Sequence, residues 1–186
     1  MITYKKFQGI TVASILTEIK KLRKEVYMGD PYYYAYDEKI EDDYWSTFSH
    51  NTEALCVIAK ESEDVVGIIT GIPLSSGAKI IADIPELFKQ HSYNPEKFFY
   101  ISDVMVKANW TGQGIATKML RFFEKASGYK CFSLITIVND ICIKRYLWEK
   151  EHYFRTGIMF TYSWPTIKNG KIITGNHELK FYKYYV

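Results

Sequence analysis

Three cysteines, five prolines and four histidines are all that this chain of 186 residues contains of those types. An odd cysteine count without framework spacing excludes a disulfide scaffold. Cys56, Cys131 and Cys142 each lie in an apolar run, where a buried thiol acts as a small hydrophobe, and this points to a reducing compartment. His50, His91, His152 and His177 have neither ligand spacing nor a cysteine or carboxylate partner set, so no metal is expected. No apolar run approaches the ~18 residues of a membrane span, and the first residues lack the apolar core of a signal peptide. A soluble, cytoplasmic protein with no membrane partner is expected. The net charge of +3 comes from scattered lysines, too weak a footprint for nucleic acid.

What is abundant is tyrosine, 16 residues able to wall a pocket with amphipathic rings. The length fits one domain over 1–186, which would bury roughly 70% of its unfolded surface. Apolar residues at helical spacing predict a helix over 11–27, with Thr11 as its cap, and a weaker one over 38–48. Runs rich in β-branched residues over 54–60 and 65–72 predict a hairpin, followed by an irregular excursion from 73 to 98. A strand over 100–106, a helix over 112–126 with Ile115, Met119, Phe122 and Phe123 inward, and a strand over 131–138 form a crossover, which implies a parallel pair. A helix over 141–150 and a β-rich end follow, where Asn169-Gly170 is a strong hairpin signal and a last strand covers 178–185. The fold class is α/β, with a mixed central sheet flanked by helices.

The crossover begins at Thr111-Gly-Gln-Gly-Ile-Ala-Thr117. Gly112 and Gly114 let backbone approach an anion, and the first N–H groups of the next helix point at it with the positive end of the helix dipole. A glycine pair after a strand is also found in ordinary turns. The dinucleotide fingerprint wants a third small residue where Thr117 stands and an acid where Val138-Asn139-Asp140 ends the next strand, and the phosphate loop of nucleotide hydrolases wants Gly-Lys-Ser/Thr. A ligand carrying a pyrophosphate in some other setting remains.

The arrangement resembles the GNAT family of acyl-CoA-dependent N-acetyltransferases, whose loop reads Arg/Gln-x-x-Gly-x-Gly/Ala. Gly114 and Ala116 fit that pattern, with Thr111 where the Arg or Gln would stand, and the likeness runs from about residue 54 to the C-terminus. It implies a single-domain GNAT-like fold and acetyl-CoA as co-substrate. Val104, Met105 and Val106 would offer backbone to the pantetheine arm. Thr111, Gly112, Gln113, Gly114, Ile115, Ala116 and Thr117 would hold the pyrophosphate, and Asn139 would meet the pantetheine, a position where an Asn also serves as a helix cap.

Acetyl transfer to a protonated amine needs a proton acceptor. Asp103 is the candidate: strand alternation sets it on the face of Ile101 and Met105, and a carboxylate in so apolar a strand is unusual. It could equally be a buried acid paired with a lysine or a backbone N–H. The family's thiolate-protonating tyrosine falls on Trp148 in one register and on Tyr146 in another that counts from Asn139. An indole cannot act as that acid, so Tyr146 is the candidate, unless it merely packs on its helix.

Asp30, Asp37, Glu38, Glu41, Asp42 and Asp43 interleave with Tyr32, Tyr33, Tyr34, Tyr36, Tyr44 and Trp45, a segment that in the resembling family borders the acceptor. These could receive a cationic amine or simply solvate a helix. The expected activity is transfer of acetyl to a primary amine of a small molecule or peptide by direct attack in a ternary complex. The alternative is a noncatalytic acyl-CoA sensor. Aromatic strands near the C-terminus leave a homodimer open.

Overall fold

The computed structural model describes residues 1–29, 32–137 and 153–185. Its strands are β1 (Ile2–Gln8), β2 (Leu55–Glu61), β3 (Asp64–Pro73), β4 (Phe98–Val106), β5 (Cys131–Ile137), β6 (Tyr153–Lys168) and β7 (Lys171–Tyr185). They form a seven-stranded sheet in the order β1-β2-β3-β4-β5-β7-β6. Neighbours run antiparallel except β4 and β5, which are parallel and joined by the helix α4 (Ile115–Ser127). The mixed sheet and its single described crossover match the sequence reading.

Helices α1 (Leu16–Tyr27), α2 (Glu38–His50) and α3 (Ile84–Gln90) cover one face of the sheet. Ile19 and Leu22 of α1 and Trp45 and Phe48 of α2 bury against Ile58, Ile68, Tyr100 and Met105. The other face packs on α4 through Ile115, Met119, Leu120 and Phe123, which meet Val57, Val66, Ile69, Phe99 and Ile101. Gly128, at φ +74°, ends α4 in the left-handed conformation usual after a helix.

Several boundaries differ from the sequence expectation. Residues 2–8 form an edge strand with alternating burial; its lysines and short length hide the pattern. The helix expected from residue 11 opens as a 3-10 turn over Gly9–Ile15. Phe122 is 40% exposed, because the inward stripe of α4 passes through Met119 and Phe123. The β-rich end is a single long hairpin, turning at Asn169 and Gly170, whose φ of +51° and +72° suit that pair. The helix expected over 141–150 lies outside the described residues.

One irregularity decides where side chains point. β3 pairs Gly71 with Ile101 but Thr70 with Asp103, so Ser102 is an extra residue, a β-bulge. Beyond it the faces of β4 swap parity: Phe98, Tyr100, Asp103 and Met105 face the α1–α2 layer, whereas Phe99, Ile101, Val104 and Val106 face the α4 layer. Asp103 therefore shares a face with Met105 and Tyr100 and not with Ile101. Strict alternation fails here by one residue.

Gly71 accommodates this crowding. A Cβ there would stand 2.4 Å from the Tyr100 carbonyl oxygen and 2.8 Å from Phe123. Gly71→Ala is expected to lower stability by about 2–4 kcal/mol, because backbone as well as a buried ring must shift. Urea unfolding followed by circular dichroism measures it; a change under 0.5 kcal/mol would contradict this packing.

Candidate active site

Asp103 is buried in the layer under α1 and α2, and its two carboxylate oxygens accept from four groups. Oδ1 takes Arg23 and the Tyr27 hydroxyl at 3.1 Å; Oδ2 takes the hydroxyls of Tyr44 at 2.8 Å and Thr70 at 3.0 Å. Arg23 also donates through Nε to Glu41 at 3.1 Å. Glu41 is fully buried and accepts from the Trp45 indole at 3.0 Å, and burial, then the Glu41 charge, pushes the Tyr34 phenol upward. One guanidinium thus serves two buried carboxylates, and the set carries a formal negative charge. The guanidinium centre also lies 4.8 Å and 4.6 Å from the rings of Tyr27 and Tyr44, a cation–π clamp.

Each partner arrives for a local reason. Arg23 stands one residue after Leu22 and four after Ile19, on the inward stripe of α1, so its charge must find a partner inside. The α2 helix starts at Asp37, whose side chain accepts the Ile40 amide at 3.1 Å, and this phases Glu41, Tyr44 and Trp45 inward. Burial, and then the Asp103 charge, hold the Tyr27 and Tyr44 phenols well above the ordinary tyrosine range. Burial works against the Arg23 charge, but Asp103, Tyr44, Tyr27 and Glu41 together hold it more firmly protonated than usual. All three stay as donors through the neutral range.

Over this network lies a cleft of about 660 Å³. Its floor is Tyr100, Ser102, Asp103 and Val104 of β4, and Tyr27, Tyr32, Tyr34 and Tyr44 line one wall. Ile81 to Leu87 supply the opposite side, with Lys79 and Asp83 exposed among them. The β6–β7 hairpin roofs it: Trp164 donates to the Tyr32 carbonyl at 3.2 Å, and Ala35 and Ile167 bond across to Pro165 and Tyr33. The excursion at 73–98 and the tyrosine-rich segment are therefore walls of one chamber.

The chamber does not stop at the sheet. Pairing between β4 and β5 ends at Ile101 and Leu134, and from Ser102 to Val106 the β4 edge away from β3 has no strand partner among the described residues. Ile101, Val104 and Leu134, which belong to the α4 layer or border it, also line the cleft, so it continues into the gap where the two strands part.

The glycine loop follows the end of β4 in the chain. Gly112 and Gly114 have φ +75°, with open space where a Cβ would project, and no side chain caps the start of α4. Thr111 donates its hydroxyl back to Ala108 at 2.8 Å, and Gln113 donates to the Asn109 carbonyl at 3.3 Å. Thr111, Gly112, Gln113 and Gly114 are exposed, Ala116 and Thr117 half-buried, Ile115 buried. The amides at the start of α4 thus offer donors to an anion, as a pyrophosphate requires. Val104 and Val106 are half-buried at the gap, while Met105 is buried with its side chain in the core. Asn139 and Tyr146 lie outside the described residues.

Of the described acids between 37 and 43, only Glu41 lines the cleft. Lys20 pairs with Glu38 at 3.1 Å and with Asp42 outside it. Cys56 is buried, and burial pushes its thiol upward. Arg23, Thr70 and Ser102 were not foreseen; for Arg23 a cation on an apolar helix stripe is a readable signal. Among the described residues no group of metal-ligating side chains gathers.

The acetyltransferase (GNAT) family model matches residues 17–147, and the chain belongs to that family. No curated protein sequence matches it. Among solved structures, the ribosomal-protein-S18-alanine N-acetyltransferase of Escherichia coli superposes with a TM-score of 0.66 at 8% identity, covering 100% of this chain and 94% of that one. NAA60 of Arabidopsis thaliana, solved with a bisubstrate analogue, gives 0.62 at 15% identity, covering 100% and 99%. A GNAT acetyltransferase of Elizabethkingia anophelis with acetyl-CoA bound gives 0.54 at 16%, covering 100% and 98%. At such identities the likeness establishes the fold.

Two outcomes test the network. Arg23→Met, which strands two buried carboxylates, should cost about 3–5 kcal/mol in urea unfolding; a loss below 1 kcal/mol would contradict the arrangement. Phenols held high in the folded state keep their full stabilising effect below the unfolded value of about 10 and lose it as pH rises further. Stability should therefore fall above pH ~10, and less steeply in Tyr44→Phe; equal slopes would refute the assignment.

Proposed function

We propose that this chain transfers acetyl from acetyl-CoA to a primary amine held in the tyrosine-walled cleft. The observation that carries this reading is the continuity of that cleft with the parting of β4 and β5, at the open β4 edge that runs on in the chain to the glycine loop and the uncapped start of α4. The amides of residues 112–117 would hold the diphosphate, the open edge of Val104 to Val106 would receive the pantetheine arm, and Asn139 would meet that arm. Bound acetyl-CoA supplies a thioester: a C–N bond forms, the C–S bond breaks, and the nitrogen sheds a proton.

Asp103 does not reach an acceptor by itself, since four donors occupy its oxygens. Its role in this reading is to fix the hydroxyls around the cleft and to keep negative charge beside the acceptor; proton removal reaches it through those hydroxyls or passes to water. The Arg23–Glu41–Asp103 set, being net negative, favours a cationic amine over an acid. Tyr146 is the proposed acid for the departing thiolate, and a thiol with a pKa of about 8.5 also leaves unaided.

Acetyl-CoA at 100 times its Kd should raise stability by about 2.7 kcal/mol and shift the thermal midpoint upward, with no shift from NAD. Gly114→Glu puts a carboxylate where the diphosphate would sit and should abolish the shift while the fold persists. Thiol release from acetyl-CoA with spermidine, glucosamine, lysine and peptides beginning with Ala, Ser or Met tests transfer. A shift without turnover on every amine would exclude the transferase reading in favour of a binder, and an intact shift in Gly114→Glu would exclude the loop.

A further inference from the structure

Ser102, the bulged residue of β4, lies at the chamber floor where β4 and β5 part, half-buried and lining the cleft. Its hydroxyl is 2.9 Å from that of Thr70, which in turn is 3.0 Å from Asp103 Oδ2. Distances alone leave the direction of the first bond open. Proton counting closes it. An ionised carboxylate only accepts, so Thr70 must spend its single hydroxyl hydrogen on Asp103. Thr70 then has only lone pairs for Ser102, and Ser102 must donate to Thr70. The Ser102 oxygen is left with lone pairs and no hydrogen to offer the cleft.

We infer that Ser102 Oγ is the hydrogen-bond acceptor that holds the N–H of the incoming amine, with Thr70 and Asp103 fixing its polarity from behind. The inference rests on the transferase reading and adds a recognition element to it. The polarity selects for a nucleophile that brings hydrogens, an amine, over a group that offers only lone pairs, such as a carboxylate. The bulge is what makes this possible. In a regular strand Ser102 would take its place in the pairing with β3 instead of being the residue left over at the strand junction. Ser102 acts as a positioning residue, and no bond to it is made or broken.

The test uses the intact protein with the amine of the panel above that turns over fastest. Ser102→Ala should raise KM for that amine, with kcat/KM at least tenfold lower, while KM for acetyl-CoA and the acetyl-CoA thermal shift stay at wild-type values. Ser102→Thr, which keeps the hydroxyl, should restore most of the loss. Thr70→Val frees the Ser102 hydrogen to turn into the cleft and should produce a similar loss, which Thr70→Ser should not. Because the two hydroxyls act as one chain, the double variant should be no worse than the poorer single. Wild-type kcat/KM in Ser102→Ala, losses that multiply in the double variant, or a fall in stability without a change in amine KM would each overturn the inference and leave the transferase reading standing. A wild-type protein that acetylates none of the amines would overturn both.

Discussion

The salt bridge between Arg23 and Asp103 is the constraint on which the rest of this molecule depends. Two charges withdrawn from water are costly unless their remaining donors and acceptors are filled, and here they are: Asp103 by three hydroxyls, Arg23 by Glu41 and two aromatic faces. Apolar packing alone would let α1 slide over the sheet. The ion pair fixes its register against β4, and Glu41 fixes α2 against both. Tyr27 and Tyr44, two of the tyrosines that wall the cleft, are held by Asp103 as well. Wall and floor are therefore one network, and a change in either is felt in the other.

The second constraint is geometric. Ser102 adds one residue to β4, which bends the strand and turns Asp103 toward the α1–α2 layer. In the same place the parallel partner β5 departs, its ladder continuing with β7 while β4 continues with β3. A bulge and a parting of strands at one point open a passage between the two layers. One layer holds the aromatic chamber and the other the helix whose amide-rich start follows the glycine loop. In the proposed reading, the acyl donor and the amine acceptor meet across this gap.

Much of this was legible in the sequence. The strand, glycine loop and helix from 100 to 126 announce the crossover through residue types that physics ties to one geometry: β-branched residues, then glycines at positive φ, then a 3.6-residue apolar stripe. The Asn169-Gly170 turn is visible for the same reason. The facing of Asp103 was not, because a bulge shifts the alternation by one residue and leaves no mark in composition. The lysines of residues 2–8 hid an edge strand, since an edge tolerates charge that a central strand would not. The acids between 37 and 43 suggested a receptor for a cation, yet most are engaged by Lys20 or by a helix start, partnerships that exist only once the helices pack. Arg23 shows the converse: its place on the inward stripe of α1 makes a buried acid partner a necessity that sequence reasoning can foresee.

The most direct test of the central claim is a crystal structure with coenzyme A bound. The account predicts the diphosphate on the amides of residues 112–117 and the pantetheine arm in the gap beside Val104 to Val106, its sulfur directed toward Ser102. A coenzyme A molecule bound elsewhere, with the gap between β4 and β5 closed, would contradict it.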